Sequence, residues 1–422
     1  MVPLLDLGQQ ALTGVFPKPG QDVETGPLEL AKCRETNPDT CGLVQLQHSF
    51  APQTMYGENY GYRSGLNSSM VAHLGAIAAS AKKSVDLQPR DIVLDIGSND
   101  GTLLRALNEP GLKLVGMDPT GAKFREFYPS YVHLIPDFFN ADGFSREVGD
   151  KPVKLITSIA MFYDLAAPLD FMREIHRLLD DDGIWIFEQS YLPMMIATTS
   201  YDTICHEHLS YYALKQIRWM ADKVGFDIIN LEFNQINGGS FVVTVAKRGG
   251  KRAKNLPIID SVIERERKLG LGGDPIYDEF RVKVHRHREE LRSTLAGFAE
   301  QHKTILGYGA STKGNVMLQF CALTRDHLPF IADVNPDKFG CLTPGTLIPI
   351  ISESDARAMN PDCFMVLPWH FRNNIIKREA AFLDQGKKLL FALPHLEVVG
   401  SHSDFHRNGV GLRSSEGGKA NG

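Results

Sequence analysis

The chain has 422 residues, the length of two to three domains at about 150 residues each, which excludes a single small module. Its composition, 43% hydrophobic and 23% charged with 38 Gly and 23 Pro, excludes a disordered, collagenous or coiled-coil chain. Lys and Arg number 45 against 50 Asp and Glu, and a net charge of −5 supplies no general attraction for phosphate backbones, so nucleic acid is not an expected partner.

Residues 1–69 hold short apolar runs, such as Gly42-Leu-Val-Gln-Leu46, broken by Gly, Pro and Asn, which predicts a small irregular or β-rich head. Val71, Leu74, Ile77 and Ala78 then follow a helical period. Strand patterns come next at residues 91–95, 112–117, 155–158 and 183–187, then a helix at 214–224 and a further strand at 239–245. Strands alternating with helix-length segments predict an α/β domain over residues 70–248, a doubly wound parallel sheet with helices on both faces. Residues 249–302 read as connecting helices, with Ile276, Phe280, Val284, Leu291, Leu295 and Phe298 at a spacing near the helical repeat. The histidines and arginines of residues 281–288 read as a solvated helix face rather than a polyphosphate patch. A second strand-loop-helix at 304–315, with strands at 330–333 and 364–367, predicts a Rossmann-like α/β domain over 303–403, followed by a mobile tail at 404–422. No apolar run reaches the ~18 residues of a membrane span, and the start lacks the basic region of a secretion signal. No membrane partner is expected, and the chain reads as cytoplasmic.

The first strand ends in Asp95-Ile-Gly97-Ser98-Asn99-Asp100-Gly101, where glycines let the backbone turn tightly against a ligand before a helix opens. A dinucleotide fingerprint is Gly-x-Gly-x-x-Gly, whereas here a carboxylate precedes two glycines spaced four apart, a pattern suited to S-adenosylmethionine, which has no pyrophosphate. Asp118, at the end of the next strand and followed by Pro119, is placed to accept hydrogen bonds from both ribose hydroxyls, and Asp95 to face the cationic methionine end. Asp137 and Phe138 would edge and cover the adenine. A plain strand-turn-helix with Asp95 as helix cap is the competing reading.

Residues 202–212 crowd Cys205, His206, Glu207, His208, Tyr211 and Tyr212 into one segment after the strand at 183–187, where ligands bind in such sheets. Two histidines at i and i+2 share one face of an extended segment, which would suit a metal, but no further ligand stands at useful spacing. A structural histidine pair and acid-base chemistry remain as alternatives; for the latter, Glu207 would fix the tautomer of a neighbouring imidazole and raise its basicity. In the last domain the loop at 307–315 follows a strand and opens a helix, so its N–H groups and Lys313 would favour a phosphate, against the plainer reading of a degenerate domain kept for packing.

The stretch Val93-Leu-Asp-Ile-Gly-Ser-Asn-Asp-Gly-Thr-Leu103 with Gly116-Met-Asp118 resembles class I S-adenosylmethionine-dependent methyltransferases. Leu5-Asp-Leu-Gly8, Cys41-Gly-Leu-Val-Gln-Leu46, Tyr60-Gly-Tyr-Arg-Ser-Gly65, Tyr201-Asp-Thr-Ile-Cys-His-Glu-His208, Gly307-Tyr-Gly-Ala-Ser-Thr-Lys-Gly-Asn315 and Pro344-Gly-Thr346 resemble the three-domain C-methyltransferases of nucleotide-linked keto-deoxysugars, over about residues 4–399. The resemblance implies S-adenosylmethionine as cofactor and a nucleotide-linked 4-keto-deoxysugar as partner. It aligns His208 with a base that removes the hydrogen beside the ketone, Glu207 with its acidic neighbour, and Tyr60 or Tyr62, with Ser64 in the same motif, with sugar contacts. Tyr163 stands where some members place a histidine, and Cys205 and His206 replace a tyrosine and an acidic residue of some relatives, with His206 kept as a catalytic candidate. Tyr308, Ser311, Thr312, Lys313 and Asn315, with Asp333, Lys338 and Trp369 on neighbouring loops, would hold the nucleotide diphosphate. The family head binds structural zinc on four cysteines, whereas this head offers only Cys33 and Cys41, with His48 as a conceivable third ligand. All six cysteines of the chain are too sparse for a disulfide framework and read as reduced thiols, one pair of which could bind metal. The competing functions are a nicotinamide-dependent nucleotide-sugar oxidoreductase and a non-catalytic S-adenosylmethionine-binding relative.

Overall fold

A computed structural model of the protein describes residues 1–50 and 62–400. Tyr60 and the tail at 404–422 lie outside the described residues. The head is a meander of β1 (Val2–Ala11), β2 (Thr25–Lys32) and β3 (Val44–Leu46), antiparallel throughout. Leu4, Leu5, Leu7, Leu28 and Leu30 are buried and give the meander its apolar face.

The central domain carries β4 (Ile92–Ile96), β5 (Lys113–Met117), β6 (Val132–Ile135), β7 (Val153–Ile159) and β8 (Leu179–Ser190). Next comes the two-residue β9 (Ser210–Tyr211), which joins the head's sheet beside β3, and then β10 (Phe226–Asn234) and β11 (Ser240–Lys247). The sheet order is β6-β5-β4-β7-β8-β11-β10; the first five strands are parallel and β11 is antiparallel to both neighbours. The order reverses between β4 and β7, so a crevice opens at their carboxyl ends, where such sheets take ligands. Strands β6 and β10 escape the sequence reading: β6 has four residues and exposes His133, and β10 turns polar toward its end. Helix Ser68–Ser84 covers one face through Met70, Leu74, Ile77 and Ala78, while Val71 is exposed because Met70 occupies the inward position.

Helices Leu256–Leu269 and Pro275–Glu300 link the domains. Glu266, buried, accepts hydrogen bonds from Tyr191 Oη (2.7 Å), Leu214 N (2.7 Å) and Lys215 N (3.0 Å), so a carboxylate on the linker caps helix Leu214–Val224 of the central domain. His287, expected on a solvated face, is instead buried, with Nδ1 at 3.0 Å from Tyr201 Oη and Nε2 at 2.7 Å from the Ala392 carbonyl. His287 falls in the same buried stripe as Tyr277, Phe280, Val284, Leu291 and Leu295, so the helical spacing placed it inward and only its polar side chain pointed to solvent.

The last domain has β12 (Ile305–Tyr308), β13 (Ile331–Asp333), β14 (Ile350–Ser352), β15 (Cys363–Val366), β16 (Lys388–Phe391) and β17 (Glu397–Val399), in the order β14-β13-β12-β15-β16-β17. All are parallel except β17. Among the described residues no helix is long and apolar enough to cross a membrane.

Candidate active site at the domain junction

After β4 the chain turns through Gly97 (φ 73°), Asn99 (φ 51°) and Gly101 (φ 71°) into helix Thr102–Leu107. Gly97 is favoured by its left-handed φ, and a Cβ there would crowd Met161 Cγ at 3.1 Å. Asp118 lies beside this turn and is buried; its Oδ2 accepts from Asn99 N (2.8 Å), and its Oδ1 from Thr120 N and Oγ1 (both 2.6 Å), capping the turn that Pro119 opens. Asp95 accepts from Thr157 Oγ1 at 2.7 Å rather than capping the helix. Burial, aided by the Asp118 charge, pushes the Asp95 carboxyl up to about 7. Asp137 and Phe138 are exposed just past the end of β6.

Residues the motif search missed complete this loop. Tyr128 Oη bridges Ser98 Oγ and the Asn99 carbonyl, 2.8 Å from each. Residues 62–65 lie across the turn as a strap: Ser64 N donates to Asn99 Oδ1 (2.9 Å), Gly65 N to Asp100 Oδ2 (2.9 Å), and Asn99 Nδ2 to the Tyr62 carbonyl (3.2 Å). The described members of the sugar-contact motif thus touch the cofactor-type loop through their backbone. Further along the carboxyl edge, Glu188 on β8 is buried and held by His73 Nε2 (2.8 Å) and Asn234 Nδ2 (2.6 Å), three residues with no local sequence signal.

The histidine segment is a turn, closed by His208 N donating to the Cys205 carbonyl at 3.0 Å, and this sends the two imidazoles to opposite sides. His206 faces the head, edge-on to Phe50 at 5.0 Å between ring centroids, with neither ring nitrogen partnered among the described residues. Burial pushes it down to about 4. Its catalytic assignment is therefore corrected, as is the i, i+2 metal reading, since an extended segment would be needed to bring both rings together. His208 faces the crevice: Nδ1–H donates to the Thr203 carbonyl (2.9 Å), which leaves the Nε2 lone pair without a partner among the described residues. Burial first, then the Lys313 charge, push His208 down to about 3. Tyr163, buried after β7, packs on it at 4.3 Å between ring centroids. Glu207 does not orient His208. It accepts from Thr13 Oγ1 of the head (3.2 Å), and a Cβ on Gly14 would come within 2.1 Å of its Oε1, so it pins the head against the central domain.

The loop of the last domain is largely bonded to its own protein. Ala310 N donates to Asp333 Oδ2 (2.7 Å), Lys338 Nζ to the Ala310 carbonyl (2.7 Å), and Gly314 N to Ser311 Oγ (3.0 Å), which caps the helix that Thr312 begins. Tyr308 is corrected outright: strand alternation turns it into the core, where its Oη donates to Glu379 Oε1 at 2.8 Å. Asn315 is also buried, donating to the Thr13 carbonyl (2.7 Å) and so joining the last domain to the head. Lys313 and Trp369 reach across to the central domain, Lys313 Nζ donating to the Asn237 carbonyl (3.0 Å) and Trp369 Nε1 to Asp202 Oδ2 (2.8 Å). Residues of the head and of the last domain thus meet the central domain around the segment that carries His208.

Family profiles match this layout domain by domain. One described as "Putative zinc binding domain" matches residues 1–56, a "Methyltransferase domain" matches 70–231, and a "C-methyltransferase C-terminal domain" matches 235–394. The C-methyltransferase NovU of Streptomyces niveus is 28% identical over 383 residues, spanning 89% of this chain and 88% of that protein. The chain is thus similar to C-methyltransferases along most of its length, in each of its three domains. Solved structures that align include the mitomycin 7-O-methyltransferase MmcR, at 14% identity and TM-score 0.35 over 43% of this chain and 55% of that one. The CcbJ methyltransferase from Streptomyces caelestis aligns at 13% identity and TM-score 0.33 over 42% of this chain and 90% of that one. The strand order itself carries the fold assignment.

Among the described residues the head presents no closed zinc site. Tetrahedral structural zinc takes four ligands, and among the described residues no group of three His, Cys, Asp or Glu is placed to hold a metal around Cys33 and Cys41. The loop between them is instead clamped to helix Leu214–Val224. Trp219 Nε1 donates to the Pro38 carbonyl (2.9 Å), Gln216 Nε2 to the Cys41 (3.1 Å) and Gly42 (3.2 Å) carbonyls, Lys223 pairs with Asp39 (2.8 Å), and Lys215 pairs with Glu35. EDTA should leave the Tm unmoved, whereas Gln216→Ala, which strips two carbonyls of their donor, should lower stability by about 1–3 kcal/mol in denaturant unfolding. A Tm that falls on chelation would contradict this.

Proposed function

We propose that the enzyme methylates the carbon adjacent to the ketone of a nucleotide-linked 4-keto-deoxysugar, with His208 as the base. The observation that carries the reading is the neutral imidazole of His208, its Nδ1–H committed to Thr203 and its Nε2 lone pair open at the junction of the cofactor-type loop with the last domain. Bound S-adenosylmethionine would supply an electrophilic methyl group, and an ordinary sugar C–H is not nucleophilic enough to take it. The ketone removes that obstacle by acidifying the hydrogen on the next carbon, which a positioned base can then abstract. Asp118 retains one lone pair on Oδ2 for a ribose hydroxyl, and a second hydroxyl would take the place of Thr120 Oγ1 on Oδ1. Gly97, Ser98, Asn99, Asp100 and Gly101 would line the adenosyl side, with Pro119, Asp137 and Phe138 toward the base. Tyr163 keeps the His208 ring in place and helps exclude water.

The decisive assay supplies S-adenosylmethionine with dTDP- or GDP-4-keto-6-deoxysugars and reads the sugar nucleotide by mass spectrometry. A gain of one methyl on carbon supports the reading. An unaltered sugar despite tight cofactor binding sinks it, and NADH binding in a fluorescence titration would redirect it toward an oxidoreductase.

Asp95 gives the cofactor site a pH dependence. In the free protein it titrates at about 7, and a cationic amino acid end lodged beside it favours the ionised form. Below that pH binding must expel a proton, so S-adenosylhomocysteine affinity should fall by up to about tenfold per pH unit, and should level off above it. Calorimetry between pH 6 and 8 checks this, and Asp95→Asn should flatten the profile.

A further inference from the structure

At the seam between the central and last domains, several polar groups keep bonding capacity that the protein does not use. Lys313 Nζ donates to a single carbonyl, that of Asn237. Asp202 is buried, gives Oδ2 to Trp369, and leaves Oδ1 unpartnered among the described residues, as is His370 Nδ1. His208 Nε2 is open nearby. Trp369 lies along the same seam, packed so tightly on Gly238 that a Cβ there would stand 2.9 Å from the indole. Buried polar atoms without partners are uncommon, and each costs about 1–3 kcal/mol, so a group of them marks a place where a ligand's polar atoms complete the bonding.

Lys313 also points away from the loop it belongs to. Ser311 caps the helix from within, and Lys338 and Asp333 fill the loop behind it, so the ammonium projects toward the central domain rather than over its own helix start. There its charge adds to the burial that lowers His208 and His370 and works against the burial that raises Asp202.

Resting on the function proposed above, we infer that Lys313 is a catalytic residue of the last domain: it donates a hydrogen bond to the ketone oxygen and holds the negative charge that develops there, rather than seating the diphosphate. His208 Nε2 takes the proton from the adjacent carbon, the C–H pair becomes the carbon-carbon π bond, and the carbonyl π pair moves to the oxygen beside Lys313. When that carbon bonds the transferred methyl, the broken S–C pair stays on sulfur, the carbonyl re-forms, and the His208 proton passes to solvent. An ammonium aimed at the developing oxyanion in a dry site stabilises it far more than the ground-state ketone.

The test compares wild type with Lys313→Met and Lys313→Arg on a dTDP-4-keto-6-deoxysugar that the wild type methylates. The Met variant should lose about 10²–10³-fold in kcat with KM changed only a few-fold, as expected for a contact made in the transition state. Uptake of solvent deuterium at the same carbon should fall in parallel, and S-adenosylhomocysteine binding should persist, which shows that the variant is folded. The Arg variant should recover part of the loss. A raised KM with kcat intact would assign Lys313 to the diphosphate and overturn the inference, as would full activity of the Met variant. A wild type that neither methylates nor exchanges on any such sugar would overturn the parent reading with it.

Discussion

Replacing His208 by Asn should remove methyl transfer by about 10²–10⁴-fold while leaving S-adenosylhomocysteine binding within a few-fold of wild type. The asparagine amide can still donate to the Thr203 carbonyl, which His208 Nδ1 meets at 2.9 Å, so the turn keeps its hydrogen bond and only the basic lone pair is lost. Because burial and Lys313 hold His208 down to about 3, the wild-type ring is neutral throughout the working range, and its kcat should show no imidazole titration near its ordinary pH of half-ionisation. Steady-state kinetics paired with calorimetry separates the two readouts. Retention of more than about a tenth of the activity would move the base elsewhere, and Glu207, which faces Thr13 and Gly14, is badly placed to replace it.

Asp118→Ala should be nearly as damaging, but to binding. The carboxylate serves Asn99 N, Thr120 N and Thr120 Oγ1, and its loss strands buried donors on both turns that frame the crevice. At roughly 1–3 kcal/mol for each stranded donor, the variant should lose about 2–4 kcal/mol of stability, and cofactor affinity should fall by about 100-fold or more as Asn99 and the strap over it loosen. Asp118→Asn, which keeps one acceptor, should fall between. Thermal unfolding with and without S-adenosylhomocysteine measures both effects, since a variant that still binds is stabilised by the ligand. An unchanged affinity would place the adenosyl group away from β5.

The glycine turn after β4, the acidic residue after β5 and the crossing helices were legible in the sequence because each depends on neighbours a few residues away. Gly97 and Gly101 have the φ values that turn needs, and Ile92, Val93 and Leu94 are buried as a two-sided sheet requires. The short edge strand β6 was not legible, since four residues with His133 exposed carry almost no period. Nor was the role of Glu207. Adjacency to His208 suggested a dyad, but side chains of neighbouring residues diverge, and the partners of Glu207 come from residues 13 and 14, almost two hundred positions away.

Local patterns in the chain were thus enough to fix which chemistry is present: a nucleoside-type crevice, an imidazole near it and a second α/β domain. Which of those groups meet was settled by packing. The turn at Cys205 sends His206 into the head and His208 into the crevice, strand alternation buries Tyr308, and helix Thr312–Phe320 carries Lys313 across the seam to Asn237. Contacts of this kind join residues far apart in sequence, and their geometry depends on how three sheets dock around one shared apolar core, which no local spacing encodes.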